Sequence, residues 1–373
     1  MNHHYGLILA GGRGTRFWPM SRRANAKQVL RLFGERSLIQ QTVDRLRPVL
    51  PPERIWILTN DHLRREIVKQ LPEVPPAQIL AEPAARNTAP AIGLAAQLLQ
   101  QSDPDAVMGV FPADHVIAKP KPFVRLVKAA FKAAENGPKQ GDANQEEAPI
   151  VVLGIQPRWA ETGYGYIEFP KKELEAQSGS RSVAALKVRR FREKPDAKTA
   201  ARFLKSGNFY WNAGMFFFRT SAMLDALRRY QPKTAAVLAS LPKLGSRGFR
   251  KRLGEAFSLC ENISIDFAVL ERAGNVLGIP AGDIGWNDVG SWNAVYELHK
   301  PDKAGNAINA PSLVQDSSGN YVSARGKVVA MLGVDDLIIV DTEDALLVAD
   351  RKRAQQVGDL VKMLEKAGHH HLL

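Results

Sequence analysis

Residues 6–16 read Gly-Leu-Ile-Leu-Ala-Gly-Gly-Arg-Gly-Thr-Arg, an apolar run that breaks into three glycines within four positions. That pattern predicts a short buried strand feeding a tight loop at its carboxyl end. Glycine lets backbone amides approach an anion with no Cβ in the way. Arg13 and Arg16 add permanently charged planar forks that match phosphate oxygens. No Gly-Lys-Ser/Thr closes the loop and its glycines are not spaced as Gly-x-Gly-x-x-Gly, so it is neither a Walker loop nor a dinucleotide fingerprint. A tight strand-to-helix turn with surface arginines accounts for the same residues, and the rest of the chain must decide.

Strand and helix patterns alternate after it. Ser37–Leu46 is predicted as a helix capped by Ser37, Ile55–Leu58 as a buried strand, and Asp61 as the cap of a helix reaching Gln70. Gln78–Leu80 is a third strand, Glu82–Pro90 a loop, Ala91–Gln100 a helix and Ala106–Phe111 a continuous apolar strand. This alternation predicts an α/β fold on a parallel sheet. Ligands of such sheets gather beyond the carboxyl ends of the strands, which singles out Asp114 in Pro112-Ala113-Asp114-His115, beside the glycine loop. Asn136–Pro149 is polar and is expected to be an exposed, mobile loop.

The second half continues the pattern. Strands are expected at Ile150–Ile155, Val188–Phe191, Tyr210–Phe218 and Val276–Ile279. Pro195 fits the first position of a helix from Asp196 to Ser206 that Gly207 stops, and Ser264 or Asp266 caps a helix through Glu271. Asn212 lies inside an otherwise apolar strand, and a buried amide needs partners. Helical periodicity ends near Pro301, and from Ser312 to Asp350 short apolar runs alternate with Asp and Gly turns. The division expected is residues 1–300 as one domain and 311–373 as a small β appendage closed by a helix from Arg353 to Lys366.

Of the 373 residues, 45% are hydrophobic and 24% charged, as in ordinary globular chains, and no apolar stretch is long enough to cross a bilayer. The N-terminus lacks the pattern of a signal peptide and Cys260 is the only cysteine, so a cytoplasmic location is expected. The net charge of +13 calls for anionic partners. It is dispersed, with no helix-turn-helix, zinc or RNA-binding signature, which favours small phosphorylated ligands over nucleic acid or membrane. The histidine clusters His3-His4 and His369–His371 are terminal and are set aside as metal sites.

Nine segments, in order, resemble the sugar-1-phosphate nucleotidylyltransferases, and more closely the mannose-1-phosphate guanylyltransferases. They are Leu9–Ser21, Lys27-Gln28, Glu82-Pro83 with Arg86–Ala91, Pro112–His115, Gly163–Ile167, Phe191–Pro195, Trp211–Phe216, Ser264–Asp266 and Gly285–Trp292. The resemblance implies a Rossmann-like mixed, mainly parallel sheet with a left-handed β-helix after it. It implies the reaction of GTP with mannose 1-phosphate to give GDP-mannose and pyrophosphate, assisted by Mg²⁺. The amides from Gly11 to Thr15, Gly12 and Gly14 among them, would cradle the nucleotide phosphates, Leu9 and Ala10 would also bind the nucleotide, Arg16 would hold the departing pyrophosphate and Lys27 would offset charge at the α-phosphate. Asp114 and Asp288 would bind the metal and Lys194 the sugar phosphate. Tyr164 and Gly165 would close over the sugar, Glu168 and Asn212 would meet its hydroxyls, and Glu82, Asn87 and Thr88 lie where the family reads the base.

Two departures stand out. The family has proline before Lys27 where this chain has Ala26, which should loosen the presentation of Lys27. The sequence also lacks the cupin-like domain of bifunctional relatives, so no mannose-6-phosphate isomerase activity is expected. A homodimer is expected by the same resemblance. The rivals are the same chemistry on glucose 1-phosphate with UTP or dTTP, a catalytically silent sugar-nucleotide sensor, and a basic nucleic-acid binder.

Overall fold

The computed structural model describes residues 3–136, 147–177 and 183–373; the loop expected at 136–149 lies mostly outside them. Four strands run parallel in the order β3-β2-β1-β4: β1 (His4–Leu9), β2 (Ile55–Asn60), β3 (Ile79–Glu82) and β4 (Val107–Pro112). A short β5 (Val116–Ile117) follows β4. Beyond come β6 (Ile150–Ile155), β7 (Tyr166–Glu168), β8 (Leu186–Lys187), β9 (Arg190–Arg192), the long β10 (Phe209–Arg219) and β11 (Val276–Ala281). β10 inserts antiparallel between β4 and β6, while β11 runs parallel to β6. The sheet is therefore mixed and mainly parallel, as the resemblance implied.

Both faces of the sheet are covered. Leu7 and Ile8, adjacent on β1 and both fully buried, enter two different apolar clusters because successive side chains of a strand point to opposite faces. One cluster takes in Phe131 and Trp211; the other takes in Phe169, Phe218 and the helix Thr88–Ser102. Each such large side chain contributes about 1.5–3 kcal/mol on burial.

Several element boundaries differ from expectation for local reasons. Asn60, not Asp61, caps the second helix, its side chain accepting from the Leu63 amide at 3.1 Å. The third helix begins at Thr88 rather than Ala91, with Pro90 in its first turn, where a missing N–H leaves no bond unmade. Pro195 precedes the cap Asp196 instead of opening the helix Ala197–Ser206, which ends at Gly207 with φ 74°. The expected strand Val188–Phe191 is split into β8 and β9, which join different neighbours, β11 and β7. Asp266–Leu270 forms a π-helical turn, not an α-helix. Trp286–Asn287, within a matched segment, forms β12 and pairs with β5.

The C-terminal strands stack in parallel. β13 (Ala307–Asn309) pairs with β15 (Tyr321–Ser323) and β15 with β17 (Leu337–Asp341), while β14 (Ser312–Gln315) pairs with β16 (Val329–Leu332). β18 (Leu346–Asp350) closes the stack antiparallel to β17. The last helix is a 3-10 segment, Arg351–Gln356, followed by α-helix Val357–Lys366. A third apolar cluster joins Phe17 and Trp18 of the glycine-loop region to Trp292, Tyr321, Ile338 and Val357.

The first helix, Leu38–Leu46, carries a capping box in which Ser37 Oγ accepts from the Gln40 amide and Gln40 Oε1 accepts from the Ser37 amide at 3.0 Å. Ser37→Ala is expected to lower stability by about 1 kcal/mol, measured as a shift in the urea midpoint at unchanged slope.

Candidate active site

β1 ends at Leu9, and the glycine loop that follows is held from behind. Gln28, almost fully buried, donates through Nε2 to the carbonyls of Ala10 at 2.7 Å and Gly12 at 3.1 Å. Thr59 Oγ1 donates to the same Ala10 carbonyl at 3.0 Å, and Ser21 Oγ donates to Gly14 O at 2.7 Å. With these carbonyls committed inward, the loop is stiffened where a ligand's phosphates would meet its amides. Gly14 is the glycine the geometry demands: its φ is +62°, and a Cβ there would lie 2.6 Å from Lys27 Cβ. A Cβ on Gly12 would meet nothing within 4 Å. The roles of Gln28, Thr59 and Ser21 escaped sequence reading, although Gln28 and Ser21 sat within matched motifs.

After Gly14 a 3-10 turn, Thr15–Phe17, carries Arg16. Arg16, Lys27, Asp114 and Asp288 line one cavity of about 340 Å³ with Gly14, Thr15 and His115. Lys27 is buried and ties the site together, Nζ donating to Asp114 Oδ2 at 2.9 Å and to the Asp288 carbonyl at 2.7 Å. The ammonium also lies 5.4 Å from the centre of the Phe17 ring. Burial is the largest influence and would raise the Asp114 carboxyl, but Lys27, through its charge and its hydrogen bond, and the other groups around the carboxyl together hold the pKa below the ordinary carboxylate range. Ala26 keeps φ −72°, within proline's range, so the backbone ahead of Lys27 retains the shape proline would impose.

His115 stays neutral near pH 7, its pKa pushed down to about 4 chiefly by burial, with Trp286 Nε1 donating to its Nδ1 at 3.2 Å. Arg45 supports this corner by donating to the His115 carbonyl at 2.6 Å. Asp288 follows β12, and the Asn287 side chain accepts from the Val289 amide at 2.7 Å. Val289 has φ +48°, a strained conformation for a β-branched residue. Five non-glycine residues among those described have positive φ, and three of them, Asn87, Lys194 and Val289, are site candidates or adjoin one.

A second group of candidates lies at the β7, β9 and β10 end. Tyr164 OH donates to Asp288 Oδ1 at 2.6 Å, and its ring packs edge-on against Trp211 and Trp286, so its hydroxyl links this group to the cavity. Burial first, and Asp288 second, push the Tyr164 phenol well above its usual pKa, keeping it a donor. Gly165 leaves room for Glu193: a Cβ would stand 2.4 Å from Glu193 Oε2. Lys194, largely exposed, pairs with Glu193 at 2.9 Å and does not line the cavity. Glu168 faces Arg190 at 3.3 Å. Asn212 Nδ2 donates to Asp266 Oδ1 at 3.0 Å, and its Oδ1 accepts from the Gly214 amide at 3.1 Å, which answers where its amide finds partners.

The third group is on the β3 side. Glu82 ends β3 with its Oε2 3.3 Å from where a Gly11 Cβ would stand, and burial pushes its carboxyl up to about 7. Asn87 caps the helix Thr88–Ser102, accepting from the Thr88 amide at 2.9 Å, and Thr88 Oγ1 accepts from the Ile265 amide at 2.9 Å. Among the described residues no three or more His, Cys, Asp or Glu side chains converge as a metal cage, and no helix is long and apolar enough to cross a membrane.

A raised carboxyl pKa favours the folded state below the unfolded value of about 4.5, and that contribution is lost as pH rises through about 7. Glu82→Gln is therefore expected to recover about 1–3 kcal/mol relative to wild type between pH 5 and pH 8, read from denaturation midpoints at both values. Gly14→Ala should cost about 2 kcal/mol or more, since it combines a left-handed backbone with a clash on Lys27. Ala26→Pro should add about 0.4–1 kcal/mol, because φ already suits proline.

The chain matches the model of the nucleotidyl transferase family over residues 5–305 and that of the MannoseP isomerase/GMP-like beta-helix domain over residues 312–364. It is 38% identical over 366 residues to the xanthan biosynthesis protein XanB of Xanthomonas campestris pv. campestris (strain B100), covering 97% of this chain and 73% of that one. It is 37% identical over 375 residues to the mannose-1-phosphate guanylyltransferase of Escherichia coli (strain K12), covering 98% and 74% respectively. A crystal structure described as mannose-1-phosphate geranyltransferase from Thermus thermophilus superposes with a TM-score of 0.82 at 30% identity, over 98% of this chain and all of that one. Sequence and fold thus converge, and the chain belongs to the nucleotidyl transferase family, among the mannose-1-phosphate guanylyltransferases.

Proposed function

We propose that the chain transfers GMP from GTP to mannose 1-phosphate, releasing pyrophosphate. The observation that carries this reading is the convergence of Arg16, Lys27, Asp114 and Asp288 on one cavity beside a glycine loop whose carbonyls are turned inward. A phosphate oxygen of the sugar forms the new bond to the α-phosphorus, and the bond from that phosphorus to the pyrophosphate oxygen breaks. The attacking oxygen is already ionised, so no general base is required and catalysis rests on positioning and charge neutralisation.

In this reading the amides of Gly11, Gly12, Gly14 and Thr15 receive the nucleotide phosphates, Leu9 and Ala10 carry the strand into the loop with the Ala10 amide donating to the Leu58 carbonyl at 2.7 Å, and Arg16 holds the leaving pyrophosphate. Lys27 has three N–H donors, two of them committed to Asp114 and to the Asp288 carbonyl, and directs the third to the α-phosphate. His115, neutral near pH 7, adds no charge to the cavity. Lys194 takes the sugar phosphate; Tyr164, Gly165, Glu168 and Asn212 surround the sugar, and Glu82, Asn87 and Thr88 meet the base. Residues 1–300 form the catalytic unit and 311–373 the β appendage.

Asp114 and Asp288 are the residues that would hold Mg²⁺. Both carboxylates border the same cavity, and a hard cation that arrives with a triphosphate needs only one or two carboxylates besides phosphate oxygens and water. Such a metal, when bound, neutralises phosphate charge as the transferring bond exchanges.

Pyrophosphate release from a panel pairing GTP, UTP, dTTP and ATP with mannose and glucose 1-phosphates tests the assignment. Fastest turnover with GTP and mannose 1-phosphate is expected; equal or better turnover with UTP and glucose 1-phosphate would overturn it. Asp114→Asn and Asp288→Asn should each lower metal-dependent turnover by about 100-fold or more while circular dichroism stays unchanged. Wild-type activity in either variant at limiting Mg²⁺ would refute the metal assignment.

A further inference from the structure

The turn that opens at Asp266 has no part in the reaction as described, yet it touches residues of both the base side and the sugar side. Ahead of it, the Ile265 amide donates to Thr88 Oγ1 at 2.9 Å and the Ala89 amide donates to the Ile263 carbonyl at 3.2 Å, anchoring the segment to the start of the helix Thr88–Ser102. Behind it, Glu271 Oε1 accepts from the Glu193 amide at 2.9 Å, next to Lys194. Between these anchors the backbone adopts a π-helical turn, Asp266–Leu270, a rare geometry that recurs at functional sites. The two anchors fix where the Asp266 carboxyl stands.

That carboxyl accepts from Asn212 Nδ2 at 3.0 Å. The other end of the Asn212 side chain accepts from the Gly214 amide at 3.1 Å, so the amide plane is set at both ends and cannot flip without losing both bonds. Asn212 lies on β10, and its own backbone amide donates to Gly165 O at 2.8 Å. We propose that Asp266 is a positioning residue of this enzyme, acting through Asn212 to hold the residues at the β7, β9 and β10 end in the geometry that binds the sugar. The proposal rests on the sugar-phosphate reading above. Burial, and then Glu193, raise the Asp266 carboxyl to about 7, while Lys194 and Ser264 oppose the rise. Protonated or ionised, it keeps an oxygen free to accept from Asn212.

The test compares Asp266→Ala, Asp266→Asn, Asn212→Ala and the Asp266→Ala/Asn212→Ala double variant in the full chain, measuring KM for mannose 1-phosphate and for GTP separately. Asp266→Ala should raise KM for mannose 1-phosphate about tenfold, the effect of leaving the Asn212 donor unpaired, and change KM for GTP by less than about twofold. Asp266→Asn, whose amide oxygen accepts the same bond, should restore most of the lost affinity. The double variant should be no worse than Asn212→Ala, because the two residues act in series. An unchanged KM for mannose 1-phosphate in Asp266→Ala, an equal rise in both KM values, or additive losses in the double variant would overturn the proposal. If Asp266→Ala does not fold, the Asn variant and the Asn212→Ala background decide it: an Asn variant as impaired as Asn212→Ala refutes positioning through this bond. Should wild type turn over another pair from the panel, the substrate reading fails, and the same comparison on that pair still decides the role of Asp266.

Discussion

The Lys27 ammonium is the cross-link on which the site depends. It is buried, and there it meets the Asp114 carboxylate and the Asp288 carbonyl, which arrive on loops 87 and 261 residues away in sequence. A buried cation without such partners would carry a desolvation cost of several kcal/mol. Removing the Asp114 charge therefore does more than subtract one contact, since it leaves the buried cation without its counter-charge. The two loops are brought within reach by the sheet: Asp114 follows β4, and Asp288 follows β12, which pairs with β5 just beyond Asp114.

Around that cross-link the fold spends its polar groups on holding backbone in place. Gln28, Thr59 and Ser21 restrain the carbonyls of the glycine loop, Asn287 restrains Val289, and Arg45 restrains the loop of His115. Strain at Val289 and Lys194 persists because packing and hydrogen bonds around them over-determine the backbone. The cavity is thereby shaped in advance of any ligand, which suits a reaction that needs placement and fixed charge more than proton transfer.

Much of this was legible in the sequence, for identifiable reasons. Strand and helix periodicity revealed the sheet, and the rule that ligands gather at strand carboxyl ends pointed to Asp114 before any resemblance was considered. Family motifs named Arg16, Lys27, Asp114 and Asp288, and these four do share a cavity. Legibility failed where tertiary contact decides. Nothing local says that Gln28 turns inward while its neighbour Lys27 turns toward the cavity. The link from Asp266 to Asn212 spans 54 residues, and the left-handed backbone of Val289 violates the preference of its own side chain. The helix start at Thr88 was missed, and Pro195 was placed inside the next helix rather than ahead of its cap Asp196, because proline tolerates more than one place near a helix N-terminus.

The apolar cluster beneath the glycine loop has a consequence for how the protein is made. Phe17 and Trp18 pack with Trp292, Tyr321 and Val357, and Trp18 Nε1 donates to the Leu372 carbonyl at 3.0 Å, a contact spanning 354 residues. This segment thus acquires its final packing only once residues 354 positions further along have been made. At about 5–20 residues per second that interval is roughly 20–70 s. Through that interval the indole and phenyl rings beside the glycine loop have Leu30, Leu32 and Leu38 to pack on but lack Trp292, Tyr321 and Val357, so an adhesive apolar patch stays open next to a loop that carries Arg13 and Arg16 until the later segments conceal it.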